Sequence, residues 1–290
     1  MSDYVIMTDS TCDLTQELAT ELGINVVPLS FIMDGKTYFG SLNQKTISTE
    51  DFYTKLKNGD KVSTAQVNSE EFVDHFEPVL KKGIDILYIA FSSGLSGTCQ
   101  SALIAQKELA EKYPEQKIVV FDSLCASMGE GLLVYLANQK KEQGFSIEET
   151  YDWLKENFMK MAHWFTVDDL NHLKRGGRVS AGAAFIGTML SIKPVLHVDN
   201  EGHLIPVKKV RGRKASLDAL VKQMEDTAIN PAEQIVFISH GNCLEDAEYV
   251  KTQIEEKMGV KEFKINVIGP VVGAHAGPGT IALFFLATER

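Results

Sequence analysis

The sequence predicts a two-domain α/β protein, with an N-terminal doubly wound α/β domain followed by a C-terminal α+β domain. In the first half, apolar β-prone runs are followed by polar Ser/Thr/Gly-rich loops and then by helical patterns, as in a doubly wound sheet. In the second half, a β-hairpin signal precedes further strands and helices. The change between these patterns near His163 predicts domains at 1–163 and 164–290.

The N-terminal elements follow from local composition. Residues 4–7 and 24–32 are β-prone, and the helical pattern between them, at 15–22, ends at a glycine. The most buried strand is predicted at 84–91, where the run IDILYIAF is apolar almost throughout. The remaining elements of this domain are a helix at 101–112, a strand at 117–121, and helices at 129–141 and 146–161.

The C-terminal elements begin with two β-prone runs, 195–198 and 203–207, on either side of an Asn-Glu-Gly turn. This arrangement predicts a β-hairpin. The elements predicted after it are a helix at 217–227, a strand at 234–239, a helix at 247–258, a strand at 263–268 and a β-prone apolar run at 279–287.

Composition excludes several classes of protein. The net charge of -10 argues against a nucleic-acid binder, because phosphate neutralisation needs a basic surface. No run reaches the roughly 18 apolar residues of a membrane-spanning helix, and the start lacks a signal-peptide pattern. We therefore expect a cytoplasmic protein without stable membrane insertion. The four cysteines and the histidines have no metal-ligand spacing, so no metal site is predicted.

Four clusters are candidates for chemistry. The first, TDSTCDL at 8–14, is suited either to capping a helix or to contacting a ligand. The second, SSGLSGT at 92–98, joins the buried strand to a helix and lacks the Walker A ending, so it favours a carboxylate or phosphate over a nucleotide. A tight turn that needs glycines explains this second cluster equally well.

The third cluster is VGAHAGPG at 272–279, where Gly and Pro flank His275. We expect His275 to lie on a constrained loop, free to donate a hydrogen bond to a carboxylate or to serve as a structural residue. The fourth cluster consists of two basic segments, KRGGR at 174–178 and KKVRGRK at 208–214. These segments suit an anion or a protein partner, with a solvated charged face as the alternative.

In this order, the clusters resemble the DegV family. The matching motifs are DSTCDL at 9–14, TAQ at 64–66, SSGLSGT at 92–98, DS with AS and GEG at 122–131, DDLNHLKRGGRVS at 168–180, IKPVLHV at 192–198, KVRGRK at 209–214 and IGPVVGAHAGPG at 268–279. The resemblance covers about 270 residues. It implies a long-chain fatty acid enclosed between the two domains, with no catalysis by this chain and no cofactor.

The resemblance also implies roles for residues and a partner. Thr64, Ser96 and His275 would bind the fatty-acid carboxylate, which a separate ATP-dependent fatty acid kinase subunit would convert to an acyl phosphate. Further pocket residues would be Ser93, Gly94, Gly97 and Gly277, and the residues for docking the kinase would be Arg175, Arg178, Arg211 and Arg213. One loop departs from the family pattern: Thr64-Ala65-Gln66-Val67 stands where Thr-Ser-Gln-Pro is usual.

Three alternatives remain open from the sequence. Ser96 and His275 are suited to act as nucleophile and base in an esterase or thioesterase, although no GxSxG elbow is present. A kinase of the dihydroxyacetone type, which holds a carbonyl substrate with a histidine, is a minor variant because nucleotide motifs are missing. A lipid sensor would bind the same fatty acid without a kinase partner.

Overall fold

A computed structural model describes residues 3–179 and 191–290. These residues form three β-sheets connected by helices. The strands, in chain order, are β1 Tyr4–Asp9, β2 Asn25–Val27, β3 Ser30–Met33, β4 Lys36–Phe39, β5 Val62–Ala65, β6 Asp85–Ala90, β7 Ile118–Asp122, β8 Met161–Thr166, β9 Ile192–Val198, β10 Leu204–Arg211, β11 Ile235–His240, β12 Glu262–Val267 and β13 Ile281–Leu286.

The helices, in chain order, are α1 Gln16–Glu21, α2 Thr49–Lys57, α3 Ser69–Leu80, α4 Thr98–Lys112, α5 Met128–Glu142, α6 Ile147–Asn157, α7 Asn171–Arg175, α8 Arg213–Thr227, α9 Leu244–Met258 and α10 Pro270–Ala276. Within the described ranges, none of them combines the length and apolar character needed to cross a lipid bilayer.

The N-terminal sheet has four parallel strands in the order β2-β1-β6-β7. Every residue of β6 is buried, and alternate residues enter different cores: Leu87 and Ile89 face one, Ile86 and Tyr88 the other. Both faces of the sheet are therefore covered, as a parallel sheet requires. This arrangement confirms the predicted doubly wound α/β architecture.

The run predicted as one strand at 24–32 is two strands in two different sheets. Pro28 has no backbone N–H to continue a ladder, and the N–H of Leu29 donates instead to Oγ of Ser10 at 3.0 Å. The chain then enters a small antiparallel sheet of order β4-β3-β5. This sheet, which the sequence analysis did not predict, carries Thr64 on β5.

The C-terminal sheet is mixed, with six strands in the order β10-β9-β8-β13-β11-β12. The predicted hairpin is formed by β9 and β10, and the apolar run near the end of the chain is β13, in the middle of the sheet. The predicted domain boundary at His163 lies inside β8, because the helix predicted to reach residue 161 ends at Asn157.

Helix α5 joins the two large sheets. Its residues Leu132 and Leu133 share one apolar core with Leu87 of the N-terminal sheet and with Phe237 and Phe284 of the C-terminal sheet. Because apolar burial is the main stabilising contribution to folding, this shared core fixes how the two sheets face each other.

The motif at 9–14 forms a buried polar network. Asp9 caps the short turn Ser10–Cys12, accepting from the N–H of Thr11, and its other oxygen accepts from the Tyr88 hydroxyl and the N–H of Phe91. Capping, one of the two predicted roles of this motif, is thus confirmed. Asp9 and Glu130 are both fully buried.

One hydroxyl connects the two carboxyl groups. Oγ1 of Thr11 lies 2.5 Å from Asp9 and 2.9 Å from Glu130, yet it has a single proton to donate. If that proton goes to Asp9, Glu130 must itself donate to Thr11 and is therefore a neutral carboxylic acid. Burial and the neighbouring Asp9 raise the pKa of Glu130 well above its ordinary value, in agreement with this assignment.

Glu130→Gln should therefore be tolerated, because an amide donates to Thr11 as the neutral acid does. Above about pH 4.5 the unfolded wild type releases a proton that folded Glu130 keeps, so wild-type stability falls by up to about 1.4 kcal/mol per pH unit. Urea unfolding should show the Gln variant gaining stability relative to the wild type from pH 5 to pH 8. Asp9→Asn should instead cost about 1–3 kcal/mol, because a buried N–H loses its acceptor. Parallel pH curves for Glu130→Gln and wild type would contradict the assignment.

Candidate functional site

A cavity of about 420 Å³ lies between the N-terminal and C-terminal sheets. Its walls come from the loops after β6 and β7, from β5, from strands β8 and β13, and from α10. Most of the lining side chains are apolar, among them Phe91, Leu95, Phe165, Leu204, Val271 and Phe284. The volume lies within the range of about 300–1,000 Å³ that is usual for small-molecule sites.

The cavity has a buried interior and a more exposed mouth. Phe284 and His163 in the lining are each 2% exposed, whereas Ala65 and Gln66 are exposed to solvent. The polar residues next to this exposed end include Thr64, which is half-buried. A bound molecule would therefore place its apolar part inside and its polar part near the surface.

Thr64 and His275 meet at the mouth. Oγ1 of Thr64 lies 2.8 Å from Nε2 of His275, and a Cβ on Gly176 would come within 2.1 Å of Nδ1 on the other side of the ring. The imidazole is thus held between β5 and the end of α7. When Nε2–H donates to Thr64, the threonine hydroxyl proton is free to donate to a ligand oxygen.

His275 lies in a helix, and the prediction of a loop was wrong. Pro270 at the first helical position and Gly277 after the last define α10, whose last turn carries His275. Gly277 has φ +82° and packs against His172 instead of lining the cavity. The sequence run was too short and too glycine-rich for a helical period to show.

The electrostatics of the mouth favour an anion. Burial lowers the pKa of His275 to about 4, and the positive charge of Arg178 acts in the same direction. The imidazole is therefore neutral at physiological pH. Among the described residues that line the cavity, Arg178 is the cationic side chain. Its Nε–H donates to the carbonyl of Leu95 at 3.2 Å, which places it beside Ser96.

Ser96 and Gly97 line the cavity at the N-terminal end of α4. Oγ of Ser96 accepts from the N–H of Thr98 and lies 2.9 Å from the Thr98 hydroxyl. Gly97 faces the side chain of Gln66. The positive end of a 15-residue helix therefore adds to the attraction that Arg178 exerts on an anion.

Ser93 and Gly94 belong to the same loop but do not line the cavity. The N–H of Ser93 donates to Asp122 at 3.2 Å, and the side chain is exposed. Gly94 lies against the backbone of Glu201 and Gly202 in the β9–β10 turn. The structure thus brings Thr64, Ser96, Gly97 and His275 to one cavity but leaves these two residues outside it.

The four arginines of the basic segments have different surroundings. Arg178 lines the cavity, whereas Arg175 is exposed, with one nitrogen 3.1 Å from Nδ1 of His172. Arg213 pairs with Asp246 at 2.7 Å and with Asp168 at 3.6 Å. Arg211, at the end of β10, is exposed. Ser180, the last residue of the DDLNHLKRGGRVS motif, lies outside the described residues.

Two polar residues of the interior, His163 and Ser127, were not predicted from the sequence. His163 Nδ1 lies 2.9 Å from the carbonyl of Met161, and burial lowers the pKa of this histidine well below its ordinary value. It lies on an otherwise apolar strand, where no local pattern marks it. Ser127 at the start of α5 has φ +53°, which is unusual for a residue other than glycine. No feature of the sequence indicates this conformation.

Comparison with known proteins gives a consistent result. The family model described as "Uncharacterised protein, DegV family" matches residues 3–288. A DegV domain-containing protein of Clostridium perfringens is 49% identical over 290 residues, which is 100% of this chain and 99% of the relative.

Solved structures of similar fold carry lipid-binding descriptions. A fatty-acid-binding DegV family protein of Thermus thermophilus has a TM-score of 0.87 and 29% identity, covering 99% of this chain and 100% of that one. A stearic acid-binding protein of Eubacterium ventriosum has a TM-score of 0.87 and 26% identity, covering 98% of each chain. With the family model and the relatives in agreement over the whole length, the chain belongs to the DegV family.

Proposed function

We propose that this chain binds one long-chain fatty acid in the cavity and presents its carboxylate to a separate ATP-dependent kinase subunit. The observation that carries the proposal is a cavity with apolar walls that ends in the Thr64–His275 pair near the surface. The fatty-acid-binding relatives of the same fold support the choice of ligand. The proposal needs no cofactor and suits a cytoplasmic protein.

The apolar interior accounts for the affinity. Each methylene removed from water contributes about 0.8 kcal/mol, so a chain of 16 carbons would gain on the order of 10 kcal/mol before the costs of ordering and association. A cavity of this size and lining therefore favours a long alkyl chain over a short one, because the long chain buries more apolar surface. The inner polar groups of His163 and Ser127 already have partners in the fold, at Met161 and Asp13.

The polar groups at the mouth are suited to binding the carboxylate. A charged carboxylate is costly to bury unless donors surround it, and the mouth supplies the hydroxyls of Thr64 and Ser96 together with Arg178. The neutral His275 gives its one N–H to Thr64, which leaves the Thr64 hydroxyl proton for the carboxylate. Because the carboxylate is partly exposed, one of its oxygens could attack the γ-phosphorus of ATP on the kinase. This step would form an acyl phosphate and release ADP.

Thr64→Val should weaken oleate binding about tenfold to a hundredfold, because a hydrogen bond to a charged group contributes about 1.5–3 kcal/mol. Thr64→Ser keeps the hydroxyl and serves as the matched control, so its affinity should stay close to wild type. Calorimetric titration of delipidated protein measures both. Equal affinity in the valine variant and wild type would remove Thr64 from the carboxylate site.

The proposed kinase contact uses the exposed part of the basic segments. Arg211 and Arg175 are exposed on a protein of net charge -10, so a local positive surface would steer an acidic partner. Arg213 suits this role less well, because its guanidinium pairs with Asp246 and Asp168. A lipid sensor remains the second candidate and differs in needing no kinase contact.

The geometry supports the esterase hypothesis less well than it supports a binding role. In the described residues, the hydroxyl that contacts His275 is that of Thr64, while the Ser96 hydroxyl contacts Thr98. A nucleophile normally lies within hydrogen-bond reach of its base. We therefore propose a binding role without catalysis by this chain, with Ser96 as a ligand for the carboxylate.

A further inference from the structure

We propose that Asp13 and Tyr53, neither of which lines the cavity, are positioning residues that hold α10 so that His275 meets Thr64. The inference rests on the proposed carboxylate site and assigns a role to the second aspartate of the DSTCDL motif. Both residues act on the peptide group between Ile268 and Gly269, which immediately precedes α10.

Both polar atoms of this peptide group are bound by buried side chains. The N–H of Gly269 donates to Oδ1 of Asp13 at 2.8 Å, and the hydroxyl of Tyr53 donates to the carbonyl of Ile268 at 3.0 Å. Asp13 is 2% exposed and Tyr53 is 0% exposed. The start of α10 is therefore fixed from two sides, by the turn after β1 and by α2.

Asp13 also holds a second wall of the cavity. Its other oxygen accepts from the Ser127 hydroxyl at 2.5 Å, and Ser239 lies 2.9 Å from the same hydroxyl. The backbone carbonyl of Asp13 accepts from the side-chain amide of Asn266 at 2.7 Å. One buried residue of the N-terminal domain thus connects the start of α5 with the segment leading into α10.

Helix α10 packs closely against α2, so the position of its first residues determines where His275 lies. A Cβ on Gly273 would come within 2.6 Å of the Tyr53 hydroxyl, so α10 lies directly against α2. At about 1.5 Å per residue, His275 lies about 9 Å along the helix from Gly269. A tilt of about 10° at Gly269 would move His275 by about 1.5 Å, which is enough to break its 2.8 Å contact with Thr64.

The substitutions separate positioning from general stability. Asp13→Ala removes both acceptors, whereas Asp13→Asn keeps an oxygen for Gly269 and can donate to Ser127, whose own proton then turns to Ser239. Tyr53→Phe removes only the hydroxyl and leaves the ring packed. If Asp13→Ala does not fold, Tyr53→Phe still tests the proposal.

The experiment measures oleate affinity and the NMR signals of the His275 ring and of [1-¹³C]oleate. It is done at pH 8, above the pKa of about 7 to which burial raises Asp13. We expect oleate affinity to fall about tenfold or more in Asp13→Ala and about threefold or more in Tyr53→Phe, with displaced His275 and carboxyl signals. Asp13→Asn should restore both readouts to near wild type.

The outcomes distinguish this inference from the proposed function. Wild-type protein that fails to bind oleate would overturn the proposed function itself. Wild-type binding together with unchanged affinity and unchanged His275 signals in Asp13→Ala and Tyr53→Phe, whatever their melting temperatures, would overturn the positioning role alone. Failure of Asp13→Asn to restore the readouts would also count against it, because the bonding pattern requires only the oxygen at Gly269 and a polar partner for Ser127.

Discussion

Ala282→Phe should weaken oleate binding by about a hundredfold or more while a short-chain acid such as octanoate stays bound. Ala282 lines the cavity on β13, between Phe165 of β8 and Ser239 of β11. A benzene ring placed there would occupy the space of about four methylenes. At about 0.8 kcal/mol each, their loss costs about 3 kcal/mol.

The comparison of chain lengths is the control for this prediction. Octanoate would contact the same carboxylate-binding residues but occupy less of the interior, so its affinity should change little. Ala282→Ser, which is close to alanine in size, should bind oleate nearly as the wild type does. Equal oleate affinity in Ala282→Phe and wild type, measured by calorimetric titration on protein that melts normally, would mean that the alkyl chain lies elsewhere.

Arg178→Gln should weaken oleate binding about tenfold or more and should reduce acyl phosphate formation with the kinase more strongly still. A charge-assisted hydrogen bond contributes about 1.5–3 kcal/mol. An acyl phosphate carries more negative charge than a carboxylate and matches the geometry of the guanidinium group. The substitution should therefore weaken the binding of the forming acyl phosphate more than the binding of oleate. The measurements are oleate affinity and phosphorylation rate with the partner subunit present.

The other arginines supply matched controls. Arg175→Gln, at an exposed position outside the cavity lining, should leave oleate affinity unchanged. Arg211→Glu should also leave it unchanged but lower phosphorylation in a salt-dependent way, as a docking residue would. Arg213→Gln should lower the melting temperature, because Asp246 loses its ion-pair partner and Asp168 keeps only Lys193. If Arg178→Gln keeps oleate affinity and loses only kinase coupling, Arg178 is a docking residue, as the family resemblance implied.

Local patterns predicted the elements whose surroundings are uniform. The strand at 84–91 could be found because β6 is buried on both faces and therefore reads as a continuous apolar run. The β9–β10 hairpin could be found because its turn residues have strong local preferences. The run at 24–32 misled the prediction because composition does not show that the chain leaves one sheet and enters another at Pro28.

The site depended on the family resemblance instead of on local pattern. Thr64 and His275 are 211 positions apart in the chain, and no period or spacing indicates that they touch. Arg178 was assigned to docking because the family resemblance associates the basic segments with the kinase, and only the fold shows that it lines the cavity. Asp13 has no charged partner in the sequence around it, and its role depends on a residue 256 positions away.

Native mass spectrometry of the purified protein measures directly whether a fatty acid is bound. We expect one long-chain fatty acid per chain, either retained from the host or taken up when oleate or palmitate is added to delipidated protein. Bare protein under both conditions, with the fold intact, would contradict the claim that this chain carries a fatty acid.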